Sequence, residues 1–322
     1  MRFNMPYKTK QFFVVLIKLS IVFGAFYFIF ARLSENKGLT LAEFLDALKA
    51  NQTFSVKHFS ILIGLSFTNW TLEILKWKTL VKPITSISFK NALEQSLGGL
   101  TASLVTPNRI GDYGAKAMYF EKPYRKKIVL VNLLGHMAQM TVTTLCGVVG
   151  LFIFVKRYPV ELNYHNINRF FLFLFVLGVF FVFGVRQKRF SIKGFSIGRI
   201  INFIKELTLS THLWNLGLSF LRYLVFSFQF YYLLTLFGTD ISYLDAMVVI
   251  TSMYFLASVV PSITIFDVVI KGSVAIFLFD YIEVNDLSIL CITTLMWLLN
   301  FALPSFFGSY YVLNFKLPEP QA

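Results

Sequence analysis

The sequence predicts an all-α polytopic membrane protein, and its composition, its apolar runs and its motif content all indicate this class. Of the 322 residues, 56% are apolar and only 14% are charged, whereas a soluble domain carries about 25% charged residues. Apolar runs long enough to cross a bilayer recur along the chain. Nucleotide-binding, hydrolase, metalloprotease and CxxC motifs are all missing from the sequence. A soluble enzyme and a disordered chain are therefore excluded.

Full spans are expected wherever an apolar run has sufficient length. They lie at about 11–31, 59–81, 128–155, 168–185, 212–236 and 287–313. The first run follows a basic N-terminal segment and is too long for a cleaved signal, so we expect it to remain as an anchor. The basic stretch 186–210 fits an interfacial helix on anionic headgroups and, equally, a plain cytoplasmic loop.

Two further apolar stretches, at about 92–120 and 244–279, are interrupted near the middle by Pro107 and Pro261. Proline ends a helix, and the backbone groups that it frees need partners at membrane depth. Each stretch is therefore either a pair of separate spans or one re-entrant hairpin of two half-helices.

The distribution of Lys and Arg predicts the orientation. Basic residues concentrate in segments 1–10, 76–90, 121–127 and 186–205, which contain a single acid, Glu121. The alternate segments, at 32–57, 156–169, 237–246 and 280–286, carry fewer basic residues and several acids. The positive-inside rule places the first set, and with it both termini, in the cytoplasm.

The chain also contains a candidate internal repeat within one membrane domain, 1–322. A shift of about 154 residues places SFKNAL (88–93) on SYLDAM (242–247) and Pro107 on Pro261. The halves are about 8–158 and 162–316, and each contains three full spans and one interrupted stretch. Because three is odd, the second half begins on the opposite side and the repeat is inverted, as in many transporters with a midplane substrate site.

The segment TPNRIGDYGAKAMYF, 106–120, is the first candidate site. Asp112 and Lys116 are four residues apart and share a helix face, while the planar guanidinium of Arg109 suits two-point contact with phosphate. Pro107, Gly111 and Gly114 are the residues expected to shape the backbone here. We expect a lipid phosphate or headgroup site; the alternative is a cytoplasmic turn with a surface ion pair.

The segment PSITIFDVVIKGS, 261–273, is the second candidate. Asp267 and Lys271 repeat the four-residue spacing and are followed by Gly272. A carboxyl group in a dry site can carry a proton, so Asp112 and Asp267 are candidate coupling residues. The alternative is a purely structural pair.

Other polar residues fall inside the predicted helices, and we interpret them mainly as interhelical contacts. They are Asn69, Glu73, Glu94, Gln95, Asn132, His136, Gln139, Arg222, Gln229 and Asn300. The run NWTLEILKWK, 69–78, is interpreted as a span end with Trp and Lys anchors at the interface.

These motifs resemble the lysylphosphatidylglycerol synthase transmembrane, or flippase-like, family over about 10–315. The first family motif reads Pro, then Arg-x-Gly-Glu, then a basic residue; here Asp112 replaces the Glu. The second is glycine-rich before an acid and Arg-Gly, and here Ser262, Ile263 and Thr264 replace the glycines. The motif residues are most similar to those of stand-alone, bacteroidete-type members.

The resemblance implies a protein that handles phospholipids with anionic or aminoacylated headgroups. We expect a flippase-like translocator with a site built from Arg109, Asp112, Lys116, Asp267 and Lys271. The alternatives are the membrane part of an aminoacyl-phosphatidylglycerol synthase or other lipid-modifying transferase, and a membrane scaffold. No soluble catalytic domain, cofactor, metal or nucleic-acid partner is expected, and the sequence leaves the oligomeric state open.

Overall fold

A computed structural model describes residues 55–104, 106, 109–160, 191–192, 195–259 and 267–317, with Leu19, Ser20, Phe23, Tyr27 and Asp46 as isolated positions. For 191–192, 195–197, 199–200 and 267–270 it describes the backbone alone. The predicted spans 11–31 and 168–185 therefore lie almost entirely outside the described residues, as do Pro107 and Pro261.

Four helices form the first half of the described chain. They are α1 (Val56–Val81), α2 (Phe89–Leu104), α3 (Ile110–Met118) and α4 (Arg125–Arg157). Helices α1 and α4 coincide with the predicted spans 59–81 and 128–155. Helices α2 and α3 divide the first interrupted stretch between them, with the break beside Pro107.

Six helices and a short β pair form the second half of the described chain. A short antiparallel pair, β1 (Ser191–Ile192) with β2 (Phe195–Ser196), precedes the helices. They are α5 (Ile197–Glu206), α6 (Leu209–Leu236), α7 (Tyr243–Val259), α8 (Asp267–Asp280), α9 (Asp286–Trp297) and α10 (Leu303–Asn314), with a π-helical segment, Leu298–Ala302, joining the last two. The described chain is thus helical apart from this β pair and the loops, as the sequence predicts.

Local capping explains several helix starts. The Thr208 side chain accepts a hydrogen bond from the Thr211 amide and starts α6, and Asn285 accepts from the Leu287 and Ser288 amides at the start of α9. Such side chains satisfy amides that have no partner inside the helix. The basic stretch 186–210, for which the sequence left two interpretations open, contains the helix α5, and Phe203 of α5 packs on the protein.

Helices α2 and α3 form a tight antiparallel hairpin. Gly111 of α3 lies directly against the Ala102 carbonyl, and a side chain at Gly98 would meet the Tyr119 hydroxyl. Helix α3 has nine residues and is about 13 Å long at ~1.5 Å per residue, while a hydrocarbon core is roughly 30 Å thick. It is therefore too short to cross a bilayer by itself.

The last long helix of each half packs against the short helix that precedes the break in the other half. Helix α4 packs on α7, with Gly147 and Gly150 against Thr251 and Phe255. Helix α10 packs on α2, where Gly308 lies against the Leu97 carbonyl and Thr101. Small residues let helix backbones approach closely, which is a common packing mode in membranes.

The long helices α1 and α6 run antiparallel through the centre. His58 near the start of α1 contacts Tyr232 near the end of α6 at 2.5 Å, whereas Asn69 and Arg222, each near the middle of its helix, meet at 3.0 Å. These pairings fix the register and bring the midpoints of the two helices together.

The two largest apolar cores of the described residues lie toward opposite ends of the bundle. One core lies near Lys82, Lys122 and Lys127 and is called the basic-end core. It contains Ile74, Trp77, Leu80, Val81, Ala92, Ala117, Phe120, Ile128 and Val131. The larger core lies near Asp240, Asp280 and Asp286 and is called the acidic-end core; it is built from the ends of α4 and α6 with α7, α8 and α9, and includes Phe154, Phe230 and Phe279. Buried polar side chains occupy the level between them, and they form the candidate site.

Candidate functional site

Asp112 and Lys116, which share a helix face as their spacing predicts, form an enclosed ion pair. Lys116 Nζ lies 3.2 Å from Asp112 Oδ2, one helical turn away on α3. Only 6% of Asp112 and 3% of Lys116 is exposed. The alternative of an ordinary surface ion pair is therefore excluded, because both charges have been removed from solvent.

Helix α4 supplies further partners for this pair. Asn132 Nδ2 donates to Asp112 Oδ2 at 2.8 Å, and Lys116 donates to Asn132 Oδ1 at 3.1 Å. His136 Nε2 lies 3.0 Å from the same Asp112 oxygen, so the imidazole donates through Nε2 to a carboxylate that can only accept. One carboxylate oxygen thus has three polar contacts, which meets the requirement that buried charges be paired.

Small and aromatic residues complete the enclosure. Gly99 of α2 lies against the Asp112 carboxylate and the Lys116 alkyl chain, where a side chain would collide. The Lys116 ammonium also sits 4.5 Å from the centre of the Trp77 ring, a distance at which the negative face of the ring attracts a cation. The close approach of the α2 backbone at Gly99 therefore separates the Asp112–Lys116 pair from solvent.

A groove on the outer face of α4 opens beside the network. It has a volume of about 470 Å³ and is lined by Tyr113, Leu133, His136, Met137, Met140, Thr141, Thr144 and Leu145. The His136 side chain is 37% exposed, while its Nε2 contacts Asp112. His136 therefore connects an apolar outer groove to the buried carboxylate.

Arg109 stands at the start of α3 in a left-handed backbone conformation, with φ of 55°. A residue with a side chain adopts this conformation at a cost of order 1 kcal/mol. The guanidinium carbon lies 4.5 Å from the centre of the Phe301 ring in the π-helical segment. The strained backbone therefore directs Arg109 toward the last long helix rather than along α3.

A second charged cluster, formed by Glu73, Lys76 and Arg222, lies between α1 and α6. Glu73 Oε2 is 2.7 Å from Lys76 Nζ and 2.6 Å from Arg222 Nη1. Lys76 is 3% exposed and Trp77 is 1% exposed, so the prediction that NWTLEILKWK anchors a span at the interface is wrong for these residues. Helix α1 continues beyond them to Val81, so Lys78 and Lys82, not Lys76, are the lysines nearest its end.

Amide side chains extend the second cluster toward the acidic-end core. Arg222 Nε donates to Asn69 Oδ1, Asn69 Nδ2 donates to Asn300 Oδ1 at 2.8 Å, and Asn300 Nδ2 donates to Gln229 Oε1 at 2.9 Å. Gln229 in turn donates to Ser66 Oγ at 2.8 Å. The interhelical contacts predicted for Asn69, Gln229 and Asn300 are confirmed.

The π-helical segment positions Asn300 for this role. Pro304 has no amide hydrogen, so the Asn300 carbonyl four residues earlier cannot receive the usual helical hydrogen bond. The Trp70 indole donates to that carbonyl instead, at 3.1 Å. The proline thus links α1 to the last helix through a backbone group that it has freed.

The structure places the second predicted motif elsewhere in the bundle. Asp267 begins α8, but its side chain lies outside the described part, and Lys271 is half-buried and engaged in an interaction. Gly272 approaches Leu290 of α9. Helix α8 packs on α7 and α9, whereas Asp112 and Lys116 are enclosed by α1, α2 and α4.

In the portion of the chain that the structure describes, no group of three His, Cys, Asp or Glu side chains is arranged to hold a metal ion. The charged side chains pair with one another and with amides instead.

The outer surface and the buried charges together define the class of protein. Large apolar side chains are exposed along the long helices, among them Phe67, Val149, Phe152, Trp214 and Phe306. Four charged side chains, Glu73, Lys76, Asp112 and Lys116, are buried inside. Among the described helices, Arg125–Arg157 and the continuous Asp286–Asn314 are long and apolar enough to cross a membrane. This arrangement is that of a polytopic helical membrane protein with a charged interior.

Residues 15–308 match the family described as "Lysylphosphatidylglycerol synthase TM region". The chain therefore belongs to this family, as its motifs predicted, and the family associates it with membranes and lipids. Among curated proteins none matches the chain.

Proposed function

We propose that the protein is a phospholipid translocator of the flippase-like kind. The observation that carries this proposal is the enclosed network of Asp112, Lys116, Asn132 and His136 beside an apolar outer groove. Charges at membrane depth are costly, and where they occur they commonly mark a substrate or ion pathway. A phospholipid needs both surfaces, an apolar one for its chains and a polar one for its headgroup.

Each predicted residue has a role in this proposal. Arg109 binds the phosphate of an anionic or aminoacylated lipid, and Phe301 orients its guanidinium. Asp112 and Lys116 bind the remainder of the headgroup by exchanging their mutual contact for contacts with the lipid. Asp267 and Lys271 of α8 form the opposite side of the pathway in the second half.

An inverted repeat supplies the geometry for alternating access in this proposal. Its halves, about 8–158 and 162–316, form one membrane domain in which each interrupted stretch is a re-entrant hairpin. The reciprocal packing of α4 on α7 and of α10 on α2 supports this repeat, as does the meeting of α1 and α6 at their midpoints. In folds of this kind the substrate binds near the midplane between the halves.

The charges at the two ends favour a bacterial inner-membrane orientation with cytoplasmic termini. Lys82, Lys122 and Lys127 lie near the basic-end core, and Asp240, Asp280 and Asp286 near the acidic-end core. The positive-inside rule then places the α2–α3 hairpin on the cytoplasmic side.

Lipid movement in proteoliposomes tests the proposal. Liposomes containing the purified protein should move fluorescent phosphatidylglycerol and phosphatidylethanolamine analogues between leaflets, and Arg109→Ala should abolish this movement. Arg157→Ala, which removes an ion pair with Asp245 at the acidic end, is the matched control and should keep the wild-type rate. Wild-type movement in Arg109→Ala would remove Arg109 from the pathway, and no movement in any protein would overturn the translocator.

The membrane part of an aminoacyl-phosphatidylglycerol synthase is the second candidate, because the family description names a lysylphosphatidylglycerol synthase. Lipid extracts from cells with and without the gene separate the two functions. A modified lipid that disappears with the gene supports the synthase. Unchanged total lipids with altered leaflet exposure support the translocator.

A further inference from the structure

Arg222 is held in place by α1 with part of its guanidinium still available. Its Nε donates to Asn69 Oδ1 at 3.0 Å and its Nη1 lies 2.6 Å from Glu73 Oε2. Among the described residues no hydrogen bond is formed by Nη2, and the side chain is 21% exposed. An arginine fixed along one edge presents its remaining donors with little loss of conformational freedom.

The position of Arg222 is the middle of α6, where that helix meets the middle of α1. This level lies between the two apolar cores. A lipid phosphate that crosses the bilayer passes through this level with its lowest hydration, so a cation here acts where the barrier is highest.

The charges of the two clusters do not balance once the half-buried Arg222 is counted. The buried residues Glu73, Lys76, Asp112 and Lys116 supply two carboxylates and two cations, and the side chain of Arg222, which is 21% exposed, adds a third cation. Within the described residues, this set therefore carries one positive charge in excess. A phosphodiester carries one negative charge, and a guanidinium binds phosphate oxygens at two points.

We propose that Arg222 is a midplane binding site for the phosphodiester of a phospholipid, separate from Arg109. This inference rests on the proposed function, because it adds an intermediate position on the same lipid pathway. Glu73 and Asn69 are positioning residues that hold the guanidinium, and Trp70 borders it at 5.9 Å.

Binding to the purified full chain in detergent tests this site. The probe is dioctanoyl-phosphatidylglycerol, with dioctanoylglycerol as the lipid without phosphate and glycerol phosphate as the phosphate without chains. We expect Arg222→Gln to weaken binding of the phospholipid by roughly tenfold or more, as loss of a charge-assisted contact requires. Arg222→Lys keeps the charge without the planar fork and should fall in between. Arg157→Gln is the surface control and should bind like the wild type.

Three outcomes would overturn the site. The first is an Arg222→Gln variant that unfolds at lower temperature but binds phosphatidylglycerol with unchanged affinity, which would make Arg222 purely structural. The second is equally tight binding of dioctanoylglycerol, which would remove the phosphate from recognition. The third is equally tight, Arg222-dependent binding of glycerol phosphate alone, which would assign the site to a soluble phosphate.

The same variants keep this inference distinct from the translocator proposal. Loss of binding in Arg222→Gln, together with no lipid movement by the wild type in liposomes, would leave the site in place and remove the translocator. Lipid movement that depends on Arg109 but is unchanged in Arg222→Gln, with unchanged binding, would leave the translocator and remove the midplane site.

Discussion

Asp112 accepts three polar contacts on a single carboxylate oxygen, from Lys116, Asn132 and His136. Those contacts compensate for the loss of hydration of a charge that is almost completely enclosed. Lys116 depends on the same contact, because its other neighbours are the Asn132 amide and the Trp77 ring. At the scale of the residue, Asp112 is therefore the group on which the network depends most.

The first prediction concerns this carboxylate. Asp112→Asn leaves the Lys116 ammonium buried without its counter-charge, and breaking a buried pair in this way costs about 3–5 kcal/mol. Thermal unfolding in detergent, followed by circular dichroism, should show a much lower midpoint. Asp245→Asn, which breaks the exposed pair with Arg157, should cost no more than about 1 kcal/mol. Equal midpoints for the two variants would contradict the structural account of Asp112.

Part of this network could be predicted from residue spacing and part could not. Asp112 and Lys116 are one helical turn apart, and so are Asn132 and His136, so each pair could be assigned to one helix face. That the two faces meet depends on how α3 packs on α4, which local spacing does not determine. Lys76 and Trp77 were misassigned because a Trp-Lys sequence near a helix end is usually an anchor. Their buried partners, Glu73 for Lys76 and Gln95 of α2 for Trp77, are known only from the folded chain.

At the scale of elements, the α2–α3 hairpin depends on glycine at its contact surface. Gly99 brings the α2 backbone against Asp112 and Lys116, and Gly111 brings α3 against the Ala102 carbonyl. The sequence indicated the break at Pro107 and the close approach at Gly111. It did not indicate the role of Gly99, because a glycine inside an apolar helix also occurs at many ordinary helix contacts.

The second prediction uses two glycines of this hairpin. Gly99→Ala places a methyl group where the Asp112 carboxylate lies, so we expect a loss of about 1–3 kcal/mol from overpacking and lower lipid transport. Gly114→Ala is the matched control, because no atom of the described residues lies within 4 Å of a side chain built there, and the change should stabilise the helix by up to about 1 kcal/mol. Unfolding midpoints of the two variants should move in opposite directions, and a Gly99→Ala midpoint at or above the wild-type value would contradict the close contact.

In the final long helix, the span could be predicted from the sequence, but its hydrogen bond to α1 could not. The span 287–313 could be predicted from hydropathy, and it is present as α9, the π-helical segment and α10. Pro304 lies inside that span and frees the Asn300 carbonyl for Trp70. A proline in an apolar run indicates a kink, but its partner belongs to another helix 230 residues away in sequence and can be found only from the folded chain.

At the scale of the whole molecule, the two ends differ in charge, and the third prediction concerns the side on which each end lies. In a background of Cys146→Ala and Cys291→Ala, Lys122→Cys should be shielded from an impermeant maleimide in intact spheroplasts and react after lysis. Asp240→Cys should react in both conditions, because the proposed topology places the acidic end outside. The reverse pattern would invert the proposed topology, and labelling of both positions in intact cells would exclude it.

Helices α1 and α6 meet at their midpoints, so a tilt of one helix on the other would move both of its ends. Each helix extends about 20 Å on either side of the Asn69–Arg222 contact, at ~1.5 Å per residue. If one helix tilts by roughly 10° about this contact, its two ends move by about 3–4 Å in opposite directions. In the proposed translocator, a tilt about this contact would separate the two helices toward one leaflet and bring them together toward the other, with Asn69 and Arg222 at the pivot.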